Sequence, residues 1–145
     1  KFHARYNAKM RQYKYYISRR PTALMRNYCW WLNYKLDVDV MMECSKLVVG
    51  EHDFSSFCKS DADVEHHRCI VFSASWIPRD SMLEFAISAN RFLYGMVRAL
   101  VGTMVDIGRG YKRLDQYHDI LAAKNRSAAG MAAPAQGLFL EEVVY

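Results

Sequence analysis

An arginine stands in the most apolar stretch of this sequence. From Ser88 to Gly108 the chain reads SANRFLYGMVRALVGTMVDIG, and Arg98 interrupts it. A guanidinium keeps its charge in a protein, so a buried one must be paired. The rest of the chain offers no obvious carboxylate. Two readings therefore stand: a side chain that snorkels its head to water, or one whose partner lies elsewhere. A different chemistry gathers in the first 35 residues, which hold nine lysines or arginines and no acid, among them Arg5, Lys9, Arg11 and Lys14. Tyr6, Tyr13, Tyr15, Tyr16, Tyr28, Trp30 and Trp31 are interleaved with them. Basic groups neutralise phosphates and aromatic faces stack on bases, so this third suits nucleic acid; a solvated basic face is the plain alternative.

Other constellations carry less. Cys58, His66, His67 and Cys69 fit no common zinc spacing, so no metal is expected. His52, Asp53, Ser55 and Ser56 are neighbours in sequence, which does not make a triad; they are expected to cap and brace their own loop. No P-loop, GxGxxG or GxSxG pattern occurs, and no acid pair is placed for acid–base work. The four cysteines form no CxxC pair and read as reduced thiols of a cytosolic protein. No run approaches the roughly 20 apolar residues of a membrane span, and no signal peptide is visible. With 145 residues, half of them apolar, and a net charge of +5, the chain is sized as one domain. Its start at Lys1 reads as a piece of something longer.

These residues need elements to hold them. Gln12–Ser18 alternates as a strand, with Tyr13, Tyr15 and Ile17 on one face. An extended piece is possible around Tyr28–Leu32. Asp37 caps a helix that Gly50 closes. Gly50–Asp63 is a structured loop pinned by Phe54 and Phe57. Arg68–Trp76 and Met82–Ser88 form a hairpin turning at Ile77–Asp80. The helix of the Ser88–Gly108 stretch, capped by Ser88 or Asn90 and ended by Gly108, follows. A helix over Leu114–Lys124 comes next, then a small-residue loop over Ser127–Gln136 that is either a close approach or a weak connection. Leu138–Tyr145 is a final strand. The order predicts an α+β ferredoxin-like sandwich: an antiparallel sheet of about four strands with helices packed on one face.

Four segments then resemble, in order, those of the tRNA pseudouridine synthases of the bacterial TruA class. ARYNAKMRQYKYYI is similar to ARxxAxxRxYxYxI, and GEHDFSSF to the loop after the first helix. ANRFLYGMVRALVGTMVDIGRG is similar to FxxxMVRxxVG, and LAAKNRSAAGMAAPAQGLFLEEVVY to an ending APxxGLxLxxVxY. The resemblance covers residues 1–145 as the family's C-terminal domain only. The catalytic-aspartate motif GRTDxGVH of the N-terminal half is absent from this sequence. The resemblance implies that Arg98 pairs with that aspartate, that Tyr13 stacks on the target base and serves catalysis, and that Leu138 walls the pocket. It implies isomerisation of uridine to pseudouridine in the tRNA anticodon stem-loop, without cofactor, by a cytoplasmic homodimer whose basic cleft includes Arg5, Lys9, Arg11 and Lys14. The chain alone is expected to be inactive. A non-catalytic RNA-binding or dimerisation module of the same fold is the alternative.

Overall fold

The computed structural model describes residues 8–23, 25–59 and 66–145, so Arg5 lies outside the described residues. In chain order the elements are β1 (Met10–Ser18), β2 (Trp30–Trp31), α1 (Val38–Val48), β3 (Gly50–Asp53), β4 (Arg68–Arg79), β5 (Met82–Ala89), α2 (Met96–Gly108), α3 (Gln116–Ala123) and β6 (Leu138–Val144). The strands form one six-stranded sheet in the order β2-β1-β5-β4-β3, with β6 also on β1. Both β2 and β6 use the edge of β1 that β5 leaves open. β6 runs antiparallel along Met10–Tyr15, and β2 runs parallel beside Ile17 and Ser18.

Alternation sorts the two faces of the sheet. Tyr15 lies opposite Phe85 and Ile17 opposite Leu83, and Phe85 is in turn opposite Trp76. All five are buried, with the Trp76 and Phe85 rings 4.9 Å apart. Helices α1 and α2 pack on this face: α1 lies against β4 and α2, and the Trp76 indole Nε1 reaches the Met104 sulfur of α2 at 3.4 Å. The other face carries Lys14, Tyr16 and Glu84. Glu84 is only 5% exposed, held between Lys14 at 3.6 Å and Arg79 at 3.1 Å. The α+β ferredoxin-like sandwich expected from the sequence is the fold observed, with two short edge strands, β2 and β3, added to four longer ones. No helix among the described residues is long and apolar enough to cross a membrane.

Local chemistry explains where elements begin. The Asp37 carboxylate accepts from the Val40 N–H at 3.2 Å and caps α1, as its position before an apolar period predicts. Gly50, at φ +118°, takes the left-handed step after that helix and opens β3, so the first residues of the expected loop are a strand. His52, Asp53, Ser55 and Ser56 do brace their own surroundings. The Ser55 N–H and hydroxyl both donate to the Asp53 carboxylate, and the Ser56 hydroxyl donates to the Ile120 carbonyl of α3. Burial pushes the Asp53 carboxyl up, but the Ser55 hydrogen bonds and Lys124 outweigh it, and the net shift is downward.

Three boundaries differ from the sequence reading. The hairpin turns at Asp80 and Ser81 rather than over Ile77–Asp80, because Arg79 still pairs with Met82 and Asp80 accepts a φ of +56°. Helix α2 starts at Met96, not at Ser88 or Asn90. Ser88 is in β5, where its hydroxyl meets that of Ser73, and the Asn90 side chain accepts from the Ile70 N–H across the sheet. Gly95 at φ +74° starts the helix instead. Gly108 stays helical, and the left-handed residue beyond it is Gly110 at φ +89°.

The small-residue segment before β6 is a close approach. The Ala133 N–H donates to the Arg98 carbonyl at 2.9 Å, and the Gly130 N–H to the Thr103 hydroxyl at 2.9 Å. A Cβ on Gly102 would lie 1.8 Å from the Met131 carbonyl oxygen, so only glycine lets this backbone reach α2. The Tyr15 hydroxyl donates to the Pro134 carbonyl at 2.5 Å, and a Cβ on Gly137 would meet the Tyr15 ring at 2.6 Å. Burial pushes the Tyr15 phenol well up, with the Arg98 charge a partial offset, so it stays a donor at neutral pH.

Candidate active site

Because α2 begins at Met96, Arg98 lies in its first turn rather than in mid-helix. Eleven of the thirteen helix residues are buried, and Arg98 is one of the two that are not. A cation there faces the positive end of the helix dipole, which opposes it by roughly 0.3–1 kcal/mol. Its Nε donates to the Ala133 carbonyl at 2.7 Å, and its two terminal nitrogens meet no acceptor among the described residues. Among the described residues the arginine is thus fixed by one side-chain bond, with the outer part of its fork unengaged.

Arg98 lines a cavity of about 430 Å³, together with Tyr13 of β1, Leu138 at the start of β6, and Lys59, Phe92 and Tyr94 from the loops. Chain segments far apart in sequence meet here because β1 and β6 pair directly and the Ala133 loop is tied to α2. The Phe92 ring meets Tyr13 edge-to-face, with centroids 5.0 Å apart and planes at 87°, which limits how the Tyr13 ring can turn. The lining is therefore aromatic and aliphatic, with Arg98 and Lys59 as its cations. Such a slot accepts a planar heteroaromatic ring beside an anion, and the helix N-terminus and Arg98 would both stabilise that anion.

Tyr13, Arg98 and Leu138, singled out by resemblance, are brought together. The basic residues are not. Alternation puts Arg11 on the same face of β1 as Tyr13, and Lys9, just before the strand, binds the Val144 carbonyl through its backbone N–H. Lys14 points to the opposite face, where it bridges Glu84 and Glu141 at 3.6 and 3.5 Å. Of the zinc candidates, Cys69 packs its sulfur 3.9 Å from that of Met96, and His66 Nδ1 accepts from the Arg68 N–H. No three metal-binding side chains are grouped among the described residues. Sequence reasoning missed Phe92 as the brace of Tyr13 and Ala133 as the acceptor for Arg98. The first was hidden because Phe92 continues the apolar period of the helix it precedes; the second is a backbone carbonyl, which carries no side-chain signal.

Comparison with known proteins identifies the family. Residues 44–145 match the family model described as tRNA pseudouridine synthase. The chain is 40% identical to tRNA pseudouridine synthase A of Geobacillus sp. (strain WCH70) over 99% of its own length and 59% of that relative's. It is 44% identical to the protein of the same description from Halalkalibacterium halodurans, over 94% of this chain and 53% of the relative. For the Bacillus subtilis protein the figures are 36% identity, 99% and 59%. The chain therefore spans less than two thirds of the length of these relatives.

Proposed function

This chain belongs to the tRNA pseudouridine synthase family, and from that premise we propose that it is the C-terminal part of a catalytic unit that isomerises uridine to pseudouridine in the anticodon stem-loop of tRNA. The observation that carries the reading is the meeting of Tyr13, Arg98 and Leu138 around one cavity, with the terminal nitrogens of Arg98 unengaged among the described residues. A uridine swung out of its stem stacks on Tyr13 and is walled by Leu138. The guanidinium of Arg98 orients the carboxylate nucleophile, supplied by the part of the enzyme outside this chain, and keeps it ionised. The bond from C1′ to N1 breaks, the base turns over, and a bond from C1′ to C5 forms. A proton leaves C5 and one is gained at N1, so nothing is added to the substrate and no cofactor is called for. Lys9 and Arg11, on or near the strand that carries Tyr13, are assigned to the RNA cleft; Arg5 and Lys14 are assigned there on the resemblance alone, as are the homodimer and the cytoplasmic location.

The experiment is Arg98→Ala in the full-length enzyme, measuring loss of label from C5 of uridine in tRNA and, separately, tRNA affinity. Loss of an oriented charge in the site is expected to slow modification by at least about 100-fold, with affinity held within a few fold. A parallel fall in both would make Arg98 a binding residue. Undiminished modification would leave the chain a non-catalytic RNA-binding or dimerisation module.

A further inference from the structure

The far end of α2 holds an arrangement that the reaction does not use. Arg109, at the helix C-terminus, lies between two aromatic rings, its guanidinium carbon 3.8 Å from the Tyr34 centroid and 3.7 Å from that of Tyr111. Other arginines of the chain are held by oxygen. Arg68, Arg79 and Arg113 meet carboxylates, and Arg91 and Arg126 donate to carbonyls. The side-chain donors of Arg109 meet no acceptor among the described residues. Stacking from both sides fixes the plane of the guanidinium and leaves its rim of N–H groups pointing outward in that plane, the geometry that matches a phosphate. Tyr111 is 70% exposed, so the sandwich sits at the surface.

Arg109 also lines a cavity of about 880 Å³ beside the sandwich, together with Lys35, Lys112 and Arg113. The acids on its wall are Asp37, which caps α1, and Asp39 in the first turn of that helix. Both face the positive end of a helix dipole, which offsets part of their charge. Lys112 lies 3.9 Å from Asp106 and Arg113 3.1 Å from Asp115, so Arg109 and Lys35 are the lining cations that meet no carboxylate among the described residues. Eleven helical steps separate Arg98 from Arg109, about 17 Å at ~1.5 Å per residue. That is on the order of five or six steps along a nucleic-acid duplex, so one RNA can reach both.

We propose that the cavity around Arg109 is a second contact for the RNA substrate, taking phosphodiester groups of its backbone at the opposite end of α2 from the reacting uridine. This rests on the tRNA reading above. Lys35, Lys112 and Arg113 supply charge from the rim, and Arg109 supplies the one oriented fork.

The test uses the full-length enzyme and unmodified tRNA, with affinity measured across a salt series. One variant combines Lys35→Gln, Lys112→Gln and Arg113→Gln; two others are Arg109→Gln and Arg109→Lys. Each lost phosphate contact lowers the salt slope by ~0.7–0.9. The rim variant is expected to lower the slope by about 2 and to weaken tRNA at least about tenfold at low salt, with an unchanged melting temperature. Arg109→Lys, which keeps the charge without the planar fork, is expected to bind between Arg109→Gln and the wild type. Wild-type affinity and slope in the rim variant overturn the proposal. So does a loss seen only in Arg109→Gln and matched by a lower melting temperature, which would assign Arg109 to packing of the helix end. If these variants bind tRNA normally while Arg98→Ala abolishes modification, the second contact fails and the proposed function stands. If the wild type neither binds nor modifies tRNA, both fail.

Discussion

Replacing Tyr13 by phenylalanine removes one oxygen and keeps the ring that Phe92 braces; replacing it by leucine removes the ring. Stacking of a base on an aromatic side chain contributes ~1–3 kcal/mol. Tyr13→Leu in the full-length enzyme is therefore expected to weaken capture of the target uridine by about 5- to 150-fold in single-turnover kinetics. Tyr13→Phe keeps capture and isolates whatever the hydroxyl does to the chemical step; equal capture by the leucine and phenylalanine variants would remove stacking from the account. Two other side chains make stability depend on pH. Burial pushes the Cys44 thiol up to about 12, and burial pushes Cys69 up to about 11 against a partial offset from Arg91. Unfolded thiols ionise from near pH 9 while the folded ones stay neutral. Stability is thus full below that pH and is lost as pH rises toward the folded values, by up to about 1.4 kcal/mol per pH unit per thiol. The urea midpoint is expected to fall between about pH 9 and 11, and Cys44→Ala to flatten that fall. An unchanged pH dependence in the variant would place the titration elsewhere.

Helix α2 shows what an element can hide in its own sequence. Met96, Leu100 and Met104 are buried at helical spacing as their positions imply, but the apolar period runs on backward through Phe92 and Leu93, which are loop residues that also pack inward. Periodicity reports burial, and it does not separate a helix from a loop lying on the same core. The cap at Asp37 and the pairing of β4 with β5 were legible because local side chains decide them. The start of α2 was not, since it is set by a left-handed glycine and by Ser88 and Asn90 having partners in a distant strand. The site was legible in parts: Arg98 as a charge out of place from its surroundings, Tyr13 and Leu138 only through resemblance, and the Ala133 carbonyl not at all. The tie between α2 and the loop gives a direct test. Gly102→Ala forces a methyl into the space of the Met131 carbonyl and is expected to cost about 1–3 kcal/mol. It should also slow modification in the full-length enzyme, because Ala133 is displaced from Arg98. A variant as stable and as active as the wild type would show that the loop does not position the arginine.

The molecule as a whole presents two unlike faces. One side of the sheet is closed by helices; the other has a cavity of about 520 Å³ floored by Tyr16, Met82 and Phe139, beside the exposed Met25 and Tyr28. Apolar surface of this kind on a chain that spans 59% of a relative's length is expected to make the isolated chain self-associate. Sedimentation as a single monomeric species at crystallisation concentrations would count against that. The pairing of β1 with β6 has a consequence in time. Ala133 and Leu138 follow Tyr13 in the chain and leave the ribosome on the order of ten seconds behind it at ~5–20 residues per second. During that interval the nascent chain carries an unmatched strand edge on β1 and an arginine without its carbonyl. The slot between Tyr13, Arg98 and Leu138 comes into being only when residues 133–144 arrive and close both at once, so a polypeptide released before that point carries an open strand edge where the slot should be.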